Sequence, residues 1–394
     1  MKRLARSVLG IALAAAVFGG LVATAAAQSP IRIGASISAT GSYAKPGAYG
    51  REGYLLCQKH VNEQGGVLGR KIELTIYDDR SDPQTAVRLY EKLITEDKVD
   101  AVMGPYASNL TEAVANVTEK YQKLMVAPLA ATTSIWEKGR KYLIMVVSPS
   151  EVYLEGLVDL AARNGLKTIA LINEDTLFPK AAVKGAVELA KKKRLEVVFE
   201  EAYPKGTTDF SAILTKVKAS RPDVLGAATY FDDIVAITRQ MKELDVNVKM
   251  FGSTVGGDLP EYYKLLGRTA EFVYGASQWE SGLPYPGIQE FVDGYKKEFN
   301  RMPSYHSAAA YTGCQLFVGA VRRVGGLDPD KLRQDLLGLR AKTAFGEYHV
   351  DERGFQIGHK MVTIQWQDGK QVVVWPGEVS SGKPLFPTPP WSQR

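Results

Sequence analysis

Residues 99–115, VDAVMGPYASNLTEAVA, and residues 124–134, LMVAPLAATTS, decide the class of fold. Each segment begins with a short apolar run and ends in a loop of small and hydroxyl-bearing residues, and a helical pattern follows the first loop from about Ser108. Short apolar strands that alternate with helices are typical of a parallel sheet with crossover helices. The two segments therefore predict an α/β fold.

The same alternation extends along the chain from Ile31. Two sets of strands are predicted, the first at residues 31–36, 71–77, 101–104 and 125–127, and the second at residues 168–172, 196–200, 224–228, 249–251 and 273–276. Three helical patterns and a strand hairpin follow, at residues 287–300, 307–324, 328–337 and 348–375. The dipeptide Asp368-Gly369 is the turn signal of that hairpin. Two sets of strands predict two lobes.

Three extended links interrupt the alternation, at residues 147–149, 277–280 and 344–346. A chain that crosses three times between two lobes builds each lobe from discontinuous pieces. The predicted division is a leader at 1–27, a first lobe at 28–148 plus 279–345, a second lobe with the hinge return at 149–278 plus 346–376, and a Pro-rich C-terminal tail at 377–394.

The first 27 residues have the features of a secretory signal peptide. A basic start with Lys2, Arg3 and Arg6 precedes an apolar run, and the Ala-Ala-Ala sequence at 25–27 offers a cleavage site after Ala27. An uncleaved anchor helix is the alternative, because the run is long enough to span a bilayer. The small residues of the run favour cleavage and export.

Composition and charge narrow the class of protein further. The chain has 394 residues, an apolar fraction of 45% and a net charge of +6, of which three positive charges belong to the leader. The remaining charge is too small to indicate a nucleic-acid partner. Export places Cys57 and Cys314 in an oxidising compartment, where they can pair; two buried free thiols are the open alternative.

The sequence lacks the common signatures of catalysis and of metal binding. It contains no G-x-S-x-G, G-x-x-x-x-G-K-[ST], G-x-G-x-x-G or H-E-x-x-H segment. Its four histidines and two cysteines show no zinc-binding spacing. We therefore predict no catalytic residue, no metal site and no cofactor, and expect a binding protein.

The loops after two of the predicted strands, 104–111 and 127–133, are the candidate binding loops. In open α/β sheets ligands bind at the carboxyl ends of the strands. Here small hydroxyl residues and backbone N–H groups stand at a helix start, which suits a carboxylate. Helix capping is the alternative role of Ser108.

Five segments of the chain resemble the periplasmic leucine/isoleucine/valine-binding protein family, the type I solute receptors of branched-chain amino-acid ABC transporters. Beside the two loops, they are IGASISATGSYAKPGAYGREGYLLCQKHVNEQGGVLGRKI (33–72), YDDRSDPQTAVRLYEKLI (77–94) and MPSYHSAAAYTGCQLFVGAV (302–321). The resemblance implies two Rossmann-like lobes that close on a ligand like a Venus flytrap, with the three links as the hinge. It implies a periplasmic protein that delivers its ligand to an inner-membrane permease, and we expect a monomer.

The resemblance also implies roles for individual residues. Ser108 matches the serine that binds the ligand carboxylate, and Ala130 and Thr132 match the loop that completes the site. The pocket wall has five further matches or candidates: Tyr43, Phe178, Tyr230, Trp279 and Tyr305. At the position of Phe178 the family usually has a tyrosine. The family places the first helix and the 307–324 helix in one lobe, where Cys57 and Cys314 can meet.

One departure from the family pattern bears on the ligand. Thr254 stands where amino-acid binders often have a Glu for the ammonium group, and a threonine offers no charge to a buried cation. The predicted ligand is a small carboxylate, aromatic or branched, that needs no α-amino group. Asp232 or Asp233 could replace the missing acid, which leaves a branched-chain amino acid as the alternative. A sensor subunit for a signalling receptor is the other alternative.

Overall fold

The computed structural model describes residues 28–394, so the predicted signal peptide and its cleavage site lie outside the described residues. Five parallel strands form a first sheet in the order β2-β1-β3-β4-β5. These strands are β1 (Ile31–Ile37), β2 (Ile72–Asp78), β3 (Ala101–Met103), β4 (Met125–Ala127) and β5 (Leu143–Met145). Their crossover helices are α1 (Ala44–Glu63), α2 (Pro83–Thr95) and α3 (Ser108–Lys120).

A second sheet follows along the chain. Its parallel part and the helices between its strands are α4 (Glu155–Arg163), β6 (Thr168–Glu174), α5 (Leu177–Lys193), β7 (Glu196–Tyr203), α6 (Ser211–Ser220), β8 (Val224–Ala228), α7 (Phe231–Glu243), β9 (Met250–Ser253), α8 (Pro260–Leu266) and β10 (Tyr274–Ser277). The remaining elements are α9 (Ile288–Phe299), α10 (Tyr305–Val324), α11 (Pro329–Gly338), β11 (Ala341–Lys342), β12 (Glu347–Tyr348), β13 (Val362–Gln367) and β14 (Lys370–Trp375). The second sheet has the order β14-β13-β10-β9-β8-β6-β7.

The two sheets confirm the predicted α/β fold with two lobes. The hairpin of β13 and β14 turns at Asp368 and Gly369, which have φ values of 49° and 74° and so adopt the left-handed conformation that such a turn needs. Strand β5 was not predicted. The N-terminus of α2 is capped by Asp82, whose carboxylate accepts a hydrogen bond of 2.7 Å from Thr85 N.

Helices α1 and α10 pack closely and join the start of the chain to its last third. At their contact a side chain on Gly53 would collide with the carbonyl oxygen of Ser307, so only glycine allows this approach. The structure joins Cys57 of α1 to Cys314 of α10 by a disulfide, with Cα atoms 6.2 Å apart. His60 Nδ1 and Tyr311 Oη form a hydrogen bond of 3.0 Å one turn away. Helix α10 thus belongs to the first lobe.

The structure corrects the position of the third crossing. Met145 N donates to Gly354 O at 2.8 Å, and Gln356 Nε2 donates to Val146 O at 3.0 Å. Residues 346–357, which the sequence assigns to the second lobe, therefore lie along β5 of the first sheet, and the chain joins the second sheet only at β13. The alternating apolar pattern of this part of the chain does not reveal which sheet it joins, because such a pattern fits the edge of either sheet.

The Pro-rich tail packs against the second lobe. Trp391 is buried, and its backbone N–H and its indole N–H donate to Asn247 Oδ1 and Val246 O at 2.9 and 2.7 Å. Thr388 N donates to Lys249 O at 3.0 Å. Within residues 28–394, none of the helices has the length and apolar character that crossing a membrane requires.

The disulfide gives the first testable prediction. The double variant C57S/C314S should lose roughly 2–5 kcal/mol of unfolding free energy, because the bond closes a very long loop in the unfolded chain. Urea unfolding of the variant and the wild type measures the loss, and intact mass after alkylation without reductant reports the bond itself. Two alkylated thiols in the native protein would contradict the pairing.

Candidate functional site

A small cavity lies between the two sheets, at the carboxyl ends of their strands. The first sheet contributes the loops after β3, β4 and β5, and the second sheet contributes the loops after β6, β8 and β9. The lining residues are Tyr106, Ala107, Ser108, Pro128, Leu129, Ala131, Val147, Tyr153, Phe178, Tyr230, Val255, Tyr305 and His306. Both lobes thus enclose the same space, at the edge where α/β sheets bind ligands.

Ser108 begins α3 and is almost fully buried at the cavity wall. Its Oγ accepts hydrogen bonds from Ala131 N at 3.1 Å and from Thr132 N at 3.3 Å. Two N–H donors occupy the lone pairs of this oxygen, so its own hydrogen is directed away from them and can be donated. The first-turn N–H groups of α3 lack carbonyl partners within the helix. The wall at Ser108 therefore presents donors and the positive end of a helix dipole.

Aromatic rings form most of the remaining wall and cross the boundary between the lobes. Tyr106 of the first lobe lies 6.4 Å from the ring of Tyr230 in the second lobe, measured between ring centroids, and Tyr43, outside the lining, lies 4.6 Å from the same ring. Phe178 packs at 5.9 Å from Tyr230 and edge-on against Tyr153 at 4.8 Å. Such a set of rings offers apolar contact and edge or face stacking to a flat or branched ligand.

His306 is the one histidine of the cavity lining, and its side chain is buried. Its Nε2 forms a hydrogen bond of 3.1 Å with Tyr106 Oη, and its ring stacks on Tyr305 with centroids 3.8 Å apart. Burial lowers the pKa of His306 to about 3, so the imidazole is neutral at physiological pH. Within residues 28–394, the cavity is lined by no Asp, Glu, Lys or Arg.

The acids that the sequence offered for an ammonium group are placed elsewhere. Asp232 is exposed, and Asp233 serves α7 by accepting from Tyr203 Oη at 3.1 Å and Tyr230 N at 3.4 Å. Burial, reinforced by the charge of Glu174, raises the pKa of Asp233 to about 7. Neither aspartate lines the cavity.

A different buried acid, Asp258, acts electrostatically on residues of the cavity wall. Its Oδ1 accepts from Gly256 N at 3.1 Å, and burial raises its pKa to about 7. The pKa values of Tyr106, Tyr153 and Tyr305 are raised first by burial and also by the charge of Asp258. Asp258 is therefore the acid nearest in electrostatic terms to these cavity residues, and its burial keeps it partly neutral at pH 7.

Several residues proposed from sequence lie outside the lining. Thr254 is fully buried, and its hydroxyl makes two hydrogen bonds to the backbone of Thr229. It accepts from Thr229 N at 3.0 Å and donates to Thr229 O at 3.1 Å. Trp279 packs edge-on against Phe291 instead of facing the cavity. Ala130 and Thr132 flank Ala131, which does line it, and Tyr43 stands behind Tyr230. Of the predicted residues, the lining unites Ser108, Phe178, Tyr230 and Tyr305.

Sequence reasoning missed Tyr106, Tyr153 and His306. Tyr106 stands two residues before Ser108 in the same loop, and His306 directly follows Tyr305, so both had a local signal. Tyr153 had none, because it lies beyond the first crossing in a helical pattern that reads as ordinary core.

Hydrogen bonds join the three links of the hinge. Ser148 N donates to Gln278 Oε1 at 2.6 Å, which connects the first link to the second. The Trp279 indole N–H donates to Ala344 O at 2.8 Å, which connects the second link to the part of the first lobe that precedes β12. His359, in the corrected third link before β13, bonds through Nδ1 to Ser148 Oγ at 2.8 Å, which connects the third link to the first. Trp279 thus belongs to the hinge.

A polar contact at the rim joins the lobes outside the cavity, and we call it the rim clasp. Glu261 of α8 accepts from Tyr49 Oη at 2.9 Å and pairs with Arg301 at 3.2 Å. Arg301 pairs with Glu52 at 2.6 Å and lies over the Tyr49 ring at 3.8 Å. Two side chains of the first lobe, Tyr49 and Arg301, therefore hold one carboxylate of the second lobe, and Glu52 positions Arg301. This describes a closed arrangement of the lobes.

Two parallel-sheet lobes joined by a three-link hinge, with a cavity between the carboxyl ends of their strands, define the class of hinged two-lobe binding proteins. The family described as periplasmic binding protein matches residues 30–371. The chain belongs to this family, which is one of periplasmic solute-binding proteins and not of enzymes, as the sequence predicts.

Similar proteins agree with that assignment. A "Leu/Ile/Val-binding protein homolog 7" of Brucella suis is 26% identical over 376 residues, covering 90% of this chain and 94% of its own. The crystal structure of a leucine-binding protein from Thermotoga maritima has a TM-score of 0.80 at 23% identity, with 87% and 97% of the two chains covered. A solute-binding protein of an ABC transporter from Rhodopseudomonas palustris, solved in complex with 3,4-dihydroxybenzoic acid, has a TM-score of 0.77 at 23% identity, with 93% and 99% covered.

The rim clasp gives a second prediction. Glu261→Gln should shift the protein toward open lobes by roughly 1–2 kcal/mol, because it removes a partly buried charge from two charge-assisted hydrogen bonds. Small-angle X-ray scattering of the ligand-free protein should give a larger radius of gyration for the variant. Glu96→Gln, at an exposed position after α2, is the matched control. The same radius for all three proteins would contradict a role in closure.

Proposed function

We propose that this chain is the solute receptor of an ABC importer that binds a small carboxylate, aromatic or branched, between its two lobes. The observation that carries the proposal is the lining of the cavity: donors at Ser108 and the start of α3 on one wall, aromatic rings on the others, and no charged side chain within the described residues. A carboxylate gains from fixed donors at a helix start. An ammonium group in the same space would have no charged acceptor in contact with it.

Ser108 is the proposed anchor of the carboxylate. Its hydroxyl hydrogen is free to be donated because Ala131 N and Thr132 N already occupy the oxygen. A hydrogen bond to a charged group contributes about 1.5–3 kcal/mol, which is enough to orient a small ligand. The Ser108 hydroxyl and the first-turn N–H groups of α3 would together replace the water that the carboxylate loses on entering the cavity.

Closure of the lobes follows from the position of the ligand. A molecule that contacts the Ser108 wall and the rings of Phe178 and Tyr230 touches both lobes only when they are closed, so its binding favours the closed population. We propose that an inner-membrane permease recognises this closed form in the periplasm. We also propose that the chain acts as a monomer.

A branched-chain amino acid is the second candidate ligand, and one observation favours it. Asp258 is a buried carboxyl whose charge raises the pKa values of Tyr106, Tyr153 and Tyr305, and it would attract an ammonium group placed near those rings. Its pKa of about 7 argues against a strong effect, since the carboxyl is only partly ionised at neutral pH. The relatives named as Leu/Ile/Val-binding homologues make this candidate worth testing directly.

A thermal-shift panel tests the proposal. Benzoate, its hydroxylated derivatives and branched 2-oxo acids are the expected ligands, and at least one of them should raise the unfolding midpoint by several degrees, since a ligand at 100 times its Kd stabilises the native state by about 2.7 kcal/mol. Leucine, isoleucine and valine should leave the midpoint unchanged.

Two variants assign the result to the cavity. Ser108→Ala should weaken the binding of whichever acid is found by roughly 1–3 kcal/mol. If the amino acids raise the midpoint instead, and Asp258→Asn removes that rise, the second candidate is correct and the proposal is wrong.

A further inference from the structure

Tyr106 and His306 form a hydrogen-bonded pair in the cavity wall, and they come from positions 200 residues apart. Both side chains line the cavity and are buried, and they bond to each other through Tyr106 Oη and His306 Nε2 at 3.1 Å. Neither is needed to cap a helix or to join the hinge. Their position in the wall therefore makes the pair available to a polar group of the ligand.

The hydrogen-bond inventory of this pair shows what that group is. A neutral imidazole has one N–H and one acceptor nitrogen, and a phenol has one O–H and two lone pairs. When Tyr106 donates to Nε2, its oxygen keeps lone pairs for a ligand donor. When Nε2–H donates to Tyr106, the phenol hydrogen is free for a ligand acceptor. A ligand group that both donates and accepts is satisfied in either case, and a hydroxyl is the smallest such group.

The other side of the imidazole permits both arrangements. His306 Nδ1 faces Ser304 Oγ at 3.5 Å, and a serine hydroxyl can also donate or accept. Burial keeps the imidazole neutral, so the pair does not acquire a positive charge that would select an anion at this point. The stacking of His306 on Tyr305, with centroids 3.8 Å apart, fixes the plane of the ring and hence the direction of its nitrogens.

We propose that Tyr106 and His306 select an aromatic carboxylate that carries a ring hydroxyl over the unsubstituted acid. The selection rests on the proposed function, because the carboxylate must occupy the Ser108 wall for the ring to face this pair. The rings of Phe178 and Tyr230 line the same cavity as this pair and as Ser108, and they pack with centroids 5.9 Å apart. A hydroxylated aromatic acid has one group for each of these features: an anion for Ser108, a ring for the aromatic side chains and a hydroxyl for the pair.

Calorimetric titration with benzoate and with 2-, 3- and 4-hydroxybenzoate tests the inference. In the wild type at least one hydroxybenzoate should bind about 10-fold more tightly than benzoate, the gain expected from one net hydrogen bond. In Tyr106→Phe this ratio should fall to about 1, whatever the variant does to benzoate itself. His306→Leu should lower the ratio as well, and His306→Gln, which keeps a donor and an acceptor, should restore part of it.

A matched control separates this effect from lost stability. Tyr348 is a buried tyrosine of the same lobe that donates to Leu336 O at 3.1 Å away from the cavity, so Tyr348→Phe should keep the wild-type ratio. A wild-type ratio near 1, or a ratio that survives in Tyr106→Phe, overturns the inference. If no benzoate binds but branched 2-oxo acids do, the inference is wrong and the proposed function stands. If no carboxylate binds at all, both are wrong.

Discussion

A charged ligand enters a closed protein interior only where fixed donors replace its water, and this constraint organises the cleft of this protein. The donors stand at the start of α3, where Ser108 Oγ is oriented by the N–H groups of Ala131 and Thr132. Helix α3 starts there because the preceding strand, β3, ends at Met103, and that strand pairs at the centre of the first sheet. The parallel topology thus brings the anchoring loop to the edge that faces the second lobe.

The first lobe supplies the hydrogen-bond donors of the cleft, and the second lobe supplies mainly apolar surface. This difference explains how closure can depend on a ligand. Phe178 and Tyr230 offer rings but no charge. Closing the second lobe over a hydrated, empty cleft therefore yields little free energy, whereas closing it over a bound ring buries apolar surface and is more favourable. The rim clasp of Glu261 with Tyr49 and Arg301 adds a polar contact that forms between the lobes without touching the ligand. Closure therefore combines a ligand-dependent contact with a ligand-independent one.

The sequence predicts those features that arise from short-range patterns and misses those that arise from distant pairing. The alternation of strands and helices gives both sheets, and the loop that contains Ser108 is recognisable because strand, loop and helix are contiguous. The Tyr106–His306 bond is not recognisable, because it joins residues 200 positions apart. The course of residues 346–357 along β5 depends on which sheet edge the segment meets, and an alternating pattern does not specify the edge. The hinge role of Trp279 depends on the segment that its indole contacts, and a single Trp in the sequence does not specify that contact.

The central claim is that the cleft holds a carboxylate without recognising an ammonium group. Native mass spectrometry of the exported protein, purified without unfolding, tests it most directly by weighing the small molecule retained between the lobes. We expect a retained acid that contains no amine, released by the Ser108→Ala substitution and not by Tyr348→Phe. Retention of leucine, isoleucine or valine in the wild-type protein would contradict it.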